Sequence, residues 1–306
     1  MKKSFKRSVF YSICYLLFLC WISGCNSDSK LQEATDFFKR GNFKLQNREY
    51  QEAIKWFTEA IEKKPDFADA YNNRGLAYQK ADKLDEALAD FDSAIEKDNN
   101  FTEAYYNRAE LLFIKGEYQN ALKDLEAVQK VYKDSSYVYV SLGNIKAQLN
   151  NLSGATADYE QAIRLNPKNA EAYSNHGYLY FQQKSYDLAR KDFEKALSLD
   201  SNQDFAANNL AFILGEEGKY EEALKWAKKA IAQKATQPIY LNNYGYILLQ
   251  LGETQKAREA IEHSLKLQPE NAYALRNLSL YYKKTGNLTE SEKYLNEAKK
   301  IDPSIK

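Results

Sequence analysis

Few residues in this chain could do covalent or redox chemistry, and their spacing narrows what that chemistry is. Cysteine occurs at Cys14, Cys20 and Cys25 and nowhere later. The rest of the chain therefore holds no disulfide and no thiol metal site. The two histidines, His176 and His263, stand far apart, and no HExxH, CxxC or glycine-rich phosphate loop occurs. No nucleophile, base and orienter fall at a workable spacing, so the chain reads as no enzyme and calls for no cofactor or metal. What recurs is an amide. The stretches YNNRGLAY, YYNRAELL, YSNHGYLY, AANNLAFI, LNNYGYIL and LRNLSLYY carry Asn73, Asn107, Asn175, Asn209, Asn243 and Asn277 at one common place. Asparagine is a mediocre helix former, so its repetition in helix-like stretches asks for a reason.

The cysteines belong to the start, MKKSFKRSVFYSICYLLFLCWISGC. Lys2, Lys3, Lys6 and Arg7 precede an apolar run from Val9 to Ile22, the layout of a secretory signal peptide. The run is short for a membrane span of about 20 residues. Its end, Ile22-Ser23-Gly24-Cys25, resembles the bacterial lipobox. That resemblance implies cleavage after residue 24 and acylation of Cys25, and several acyl chains anchor stably where one is marginal. The other reading is an uncleaved anchor with an incidental cysteine. Residues 25–33 would form the lipidated cysteine and a tether. Removing the four early bases leaves 39 bases against 42 acids, a formal charge of −3. No basic face for nucleic acid follows from such a balance.

The amides must be positioned by regular elements, and the period supplies them. A repeat of 34 residues without insertions fills 34–305 in eight copies: 34–67, 68–101, 102–135, 136–169, 170–203, 204–237, 238–271 and 272–305. The eighth place is small (Gly41, Gly75, Gly143, Gly177, Gly245). The twentieth is alanine or serine, and the twenty-fourth is bulky except for Ala227. Pro65, Pro167, Pro269 and Pro303 fall at the thirty-second place and end a second helix. Gly116, Gly218, Gly252 and Gly286 fall at the fifteenth, in the turn. This pattern resembles the tetratricopeptide repeat family. The resemblance implies an all-α, right-handed α-solenoid of helix–turn–helix units with one continuous core. It also implies that seven or eight repeats make about one superhelical turn. Val128 departs from the pattern, replacing the small residue of the twenty-seventh place.

At 100° per residue, places 2, 5, 6, 9, 12 and 13 of each first helix point away from the core. In the family that arc lines the concave groove, and the asparagines sit on it at place 6. An amide donates and accepts, so a row of them could hold the backbone of an extended peptide. Alternatively they only solvate the surface. The arc also carries Phe38, Tyr106, Phe113, Tyr137, Tyr178, Phe181, Phe205, Phe212, Tyr246 and Tyr273. A cluster of that size marks a partner site, with packing between adjacent first helices as the bland alternative, above all at place 2. Bases gather on the last repeat as Arg276, Lys283 and Lys284.

These readings converge on a lipid-anchored scaffold that binds other envelope proteins or their peptide segments. It resembles the tetratricopeptide lipoproteins of bacterial envelopes. Asn26 after the cysteine leans toward the outer membrane, facing the periplasm. A docking subunit of an export or assembly machine and a carbohydrate-binding envelope protein are the alternatives.

Overall fold

A computed structural model describes residues 29–306; the expected signal peptide and Cys25 lie outside the described residues. Among the described residues the chain forms sixteen helices and no strand. The first helix, α1, spans 29–46, so residues 29–33, expected in the tether, are helical instead. The register explains this: Glu33 reaches Lys63 at the end of α2 (Tyr50–Lys63) over 2.5 Å and extends the repeat backwards.

The chain separates into two compact units, 1–133 and 134–306. In the first, α1 and α2 are followed by α3 (Ala68–Lys80), α4 (Leu84–Lys97), α5 (Thr102–Ile114) and α6 (Tyr118–Val131). The second unit holds α7 (Ser136–Gln148), α8 (Leu152–Leu165), α9 (Ala170–Gln182), α10 (Tyr186–Leu199) and α11 (Asp204–Glu216). It continues through α12 (Tyr220–Gln233), α13 (Pro238–Gln250), α14 (Thr254–Leu267), α15 (Ala272–Lys284) and α16 (Leu288–Ile301). The first unit holds repeats 1–3 and the second repeats 4–8. The boundary coincides with two departures in the sequence. Val128 stands where the other repeats have alanine or serine, and repeat 4 carries Ser141 in place of the asparagine.

Within a repeat, the small residue of the first helix meets the bulky one of the second. A Cβ built at Gly143 would stand 2.5 Å from the Tyr159 ring, and one at Gly41 would stand 2.5 Å from Phe57. That approach admits only glycine while the ring stays in place, which is why the eighth and twenty-fourth places vary together. Where the first is Ala211, the second shrinks to Ala227. The turn needs a left-handed residue at every fifteenth place. Gly116, Gly218, Gly252 and Gly286 supply it, while Arg48, Asp82, Asn150 and Lys184 adopt φ near 60° without that freedom.

Candidate functional site

The six recurring asparagines are less exposed than the helical arc suggests. Asn209 and Asn277 are buried, and the other four are half-buried. They bond neighbouring repeats within a unit. Asn107 donates to Asn72 over 2.8 Å, Asn243 to Asn208 over 3.0 Å and Asn277 to Asn242 over 2.9 Å. Asn73 and Asn175 instead reach Asn42 (2.7 Å) and Asn144 (3.0 Å), one helical turn further along the preceding first helix. Repeat 5 offers Ser174 and Tyr178 at those two places, and Asn209 accordingly turns to the Phe205 carbonyl of its own helix, 2.8 Å away. The amides therefore staple first helix to first helix. Repeats 2, 3 and 5–8 carry the asparagine, while Lys39 and Ser141 hold its place in repeats 1 and 4. Each staple uses one donor of the amide, and Asn73 also accepts from Asn72 over 3.0 Å.

In the second unit, repeats 5–8 form a groove of about 590 Å³. Tyr178, Phe181, Phe212 and Tyr246 line it together with Asn209, Asn243 and Asn277, so seven of the expected binding residues meet in one place. Asn175 and Tyr137 belong to the same unit but do not line the groove. Asn73, Asn107, Tyr106 and Phe113 belong to the first unit. Aromatic edges and faces fix each other along the wall. Tyr178 meets Phe205 edge-on at 4.9 Å, and Phe181 meets Phe212 edge-on at 5.4 Å. Gly215 keeps the floor open, since a Cβ there would touch only Ile247, at 3.7 Å. Tyr273 and Ile239, both at place 2, are 57% exposed and line the groove, so that place is not absorbed by helix packing here. Phe38 is half-buried and packs on Phe57 of α2 and on Phe67 ahead of α3. The sequence reading had passed over Ile239, although its place was the available signal.

The groove's polar groups are few. Glu216 borders it from the end of α11 and Arg276 from α15. Burial raises the Tyr246 phenol above its usual range, helped by Tyr220 and Glu216, while Arg276 draws it back. Tyr240 is raised by burial and by the hydrogen bond it donates to Asp204, 2.8 Å away. Neither histidine joins this site. His176 is buried beside Tyr180, with Nδ1 2.9 Å from Asp192 Oδ2, and His263 is exposed on α14. Among the described residues no group of histidine, cysteine and carboxylate side chains is placed to hold a metal ion. No described helix is long and apolar enough to cross a membrane. The arrangement can grip an apolar or aromatic side chain and bond its polar surroundings.

The sequence matches the family described as TPR repeat over 41–82 and 143–184. It matches further tetratricopeptide repeat families over 68–101, 102–135, 169–235 and 242–304. No curated protein matches the chain. A tetratricopeptide repeat protein from Parabacteroides merdae has a similar structure. Its TM-score is 0.64 at 19% identity, over 87% of this chain and 99% of that one. The APC/C hetero-tetramer Cut9–Hcn1 gives a TM-score of 0.66 at 14% identity, over 83% of this chain and 50% of that one. MamA from Desulfovibrio magneticus gives 0.52 at 20% identity, over 56% of this chain and 97% of that one. At these identities the likeness is one of fold.

Proposed function

The chain belongs to the tetratricopeptide repeat family, whose fold is that of a protein-interaction scaffold, and from that premise we propose that it binds extended peptide segments of partner proteins in the groove of repeats 5–8. The observation that carries this is the convergence of Phe181, Phe205, Phe212 and Tyr246 with the amides of Asn209 and Asn243. Such a surface buries a side chain and leaves amides within reach of the backbone beside it. Replacing Phe212 and Tyr246 by alanine should abolish peptide capture by the full chain without loss of helicity. Undiminished capture by that double variant would remove the groove from the function.

The proposal extends to place. The basic start, the short apolar run and the Ile22-Ser23-Gly24-Cys25 box support a lipoprotein of the bacterial envelope, with α1 beginning within four residues of Cys25. Acylation would hold the scaffold beside a membrane, where its partners are other envelope proteins. The intact mass of the membrane-bound protein tests this: residues 1–24 should be gone, and Cys25→Ser should leave them in place and the protein unacylated. Glycan binding is the second reading, favoured by the exposed rings of Tyr178 and Tyr273. Titration with a soluble oligosaccharide separates it from the first.

A further inference from the structure

The second unit has four arginines, and three of them face a carboxylate. Arg164 lies 3.8 Å from Glu160, Arg190 lies 3.0 Å from Glu217, and Arg258 lies 2.7 Å from Glu262. Arg276 is the exception. It lines the groove, it is half-buried, and no carboxylate of the described residues comes within ion-pair distance. Its charge favours the Tyr246 phenolate, against the influence of Glu216. A guanidinium partly removed from water and left without an anion is costly, and a carboxylate supplied by a ligand would meet it in bidentate fashion. Lys283 extends the cationic side beyond the residues that line the groove. It lies seven residues further along α15, so it returns to the same helical face about 10.5 Å away. It is exposed and likewise has no ion pair among the described residues. Lys284 differs, since its Nζ donates to the Leu249 carbonyl over 3.0 Å. Glu216 borders the groove from α11, so the electrostatic field across the aromatic slot has a direction, cationic toward α15 and anionic toward α11.

We infer that the groove selects peptide segments carrying acidic side chains beside an aromatic residue, the ring entering between Phe181, Phe212 and Tyr246 and the carboxylates seating on Arg276 and Lys283. This rests on the peptide-groove reading above and adds the chemistry of the ligand. Two unpaired cations on one face ask for more than the single carboxylate of a chain terminus. An extended strand covers about 10 Å in three residues, so acids spaced three apart match the pair.

The test uses the full chain and a fluorescein-labelled hexapeptide, Gly-Asp-Phe-Phe-Asp-Gly, amidated at its C-terminus, read by fluorescence anisotropy. A second peptide has both Asp replaced by Asn, and a third is that Asn peptide with a free C-terminal carboxylate. The Asp peptide should bind about tenfold tighter than the amidated Asn peptide, the size expected of charge-assisted bonds in a partly buried groove. The advantage should shrink as salt rises. Arg276→Gln should cut it to about twofold or less while leaving the Asn peptide unaffected, and Arg276→Lys should retain part of it. Phe212→Ala should weaken both amidated peptides alike. Equal binding of the Asp and Asn peptides to the wild type, still weakened by Phe212→Ala, overturns the acidic preference and leaves the groove standing. A free-carboxylate Asn peptide that matches the Asp peptide assigns Arg276 to a chain terminus instead. Binding by none of the three removes the groove reading and this one with it.

Discussion

Repeats 2–5 and repeats 6–8 share one scaffold and put their buried polarity in different places. In the first group the seventh place of the first helix carries a base in three repeats of four, and the twenty-third place is always aspartate. Arg74 clasps Asp90 through two bonds of 2.7 and 2.8 Å, and Arg108 clasps Asp124 with the same lengths while also meeting Asp92. In repeat 4, with Leu142 at the seventh place, Lys146 reaches Asp158 from one turn further on, and in repeat 5 His176 lies against Asp192. In repeats 6–8 the same two places hold Leu210 and Trp226, Tyr244 and Ala260, and Leu278 and Tyr294. The buried amides there are Asn208, Asn242 and Asn277 between repeats and Asn209 along its own helix; repeats 2 and 3 make the same inter-repeat bond through buried Asn72. These pairs tie the two helices of a repeat together, and their arginines also touch the preceding repeat through Thr58 and Asp92. An amide between repeats specifies which neighbour stacks and in what register. The groove with the unpaired Arg276 is formed by repeats 5–8, three of them from the group without a charged pair at these two places.

Breaking a pair of the first group should have the largest effect. Asp90→Ala leaves Arg74, whose side chain is 16% exposed, with only the Thr58 hydroxyl, and should cost about 3 kcal/mol. Arg74→Leu with Asp90→Trp, which copies the seam of repeat 6, should come back to within about 1 kcal/mol of wild type. The midpoint of urea unfolding, followed by helical signal, measures both. A double variant as unstable as the single one would show that the two seams are not interchangeable. In repeat 3 the hydrogen bonds that Arg108 donates to Asp124, opposed by burial, keep its guanidinium well above its ordinary range, so Arg108 stays charged wherever the fold survives.

The second group is probed through its amides. Asn277→Ala leaves the buried Asn242 carbonyl oxygen without its donor and should cost about 1.5 kcal/mol. Asn209→Ala loses only a bond to its own helix and gains helix propensity, so its cost should stay under about 0.5 kcal/mol. Similar losses at both sites, in thermal melts compared side by side, would refute the distinction between stapling and merely capped asparagines.

Alkali should then separate one tyrosine from each group. Burial raises the phenols of Tyr159 and Tyr240 well above the usual range. The unfolded chain loses these protons near pH 10, before the folded chain does, so above that pH the folded state binds more protons. Stability from each is fully present below about pH 10 and falls as pH rises, by about 1 kcal/mol per tyrosine at pH 11. Melting temperatures across pH 8–11 should fall less steeply for Tyr159→Phe than for wild type. The smallest effect is expected at the turns. Lys184 holds φ at 59°, where Gly218 and Gly252 do the same work in the later repeats. Lys184→Gly should gain about 0.5 kcal/mol, relief of left-handed strain slightly outweighing the added freedom of the unfolded chain. A loss in urea midpoint at this site would mean the lysine compensates its strain.

The repeat and its helix pairs were legible because each of their determinants is local. Glycine at the eighth place, the proline at the thirty-second and the left-handed residue at the fifteenth act within a single unit, and eight copies at one phase make the pattern unmistakable. The arc of the first helices was legible for the same reason, and it placed Tyr178, Phe181, Phe212 and Tyr246 together. What helical phase does not report is how deep an outward place lies once a neighbour is stacked beside it. Asn277 and Phe38 sit on the outward arc of their own helices, yet the adjacent repeat buries the amide and packs against the ring.

By itself, the sequence determined the period, the helices and the places that touch within a repeat, since 34 residues of local geometry suffice for each. Only the tertiary structure decided that the amides bond across repeats, that the chain divides into units of three and five repeats, and that Arg276 alone among the arginines of its unit has no carboxylate. These depend on distances between residues more than thirty positions apart, and a difference of a few ångströms between a bonded and an unbonded pair leaves no trace in residue type or spacing.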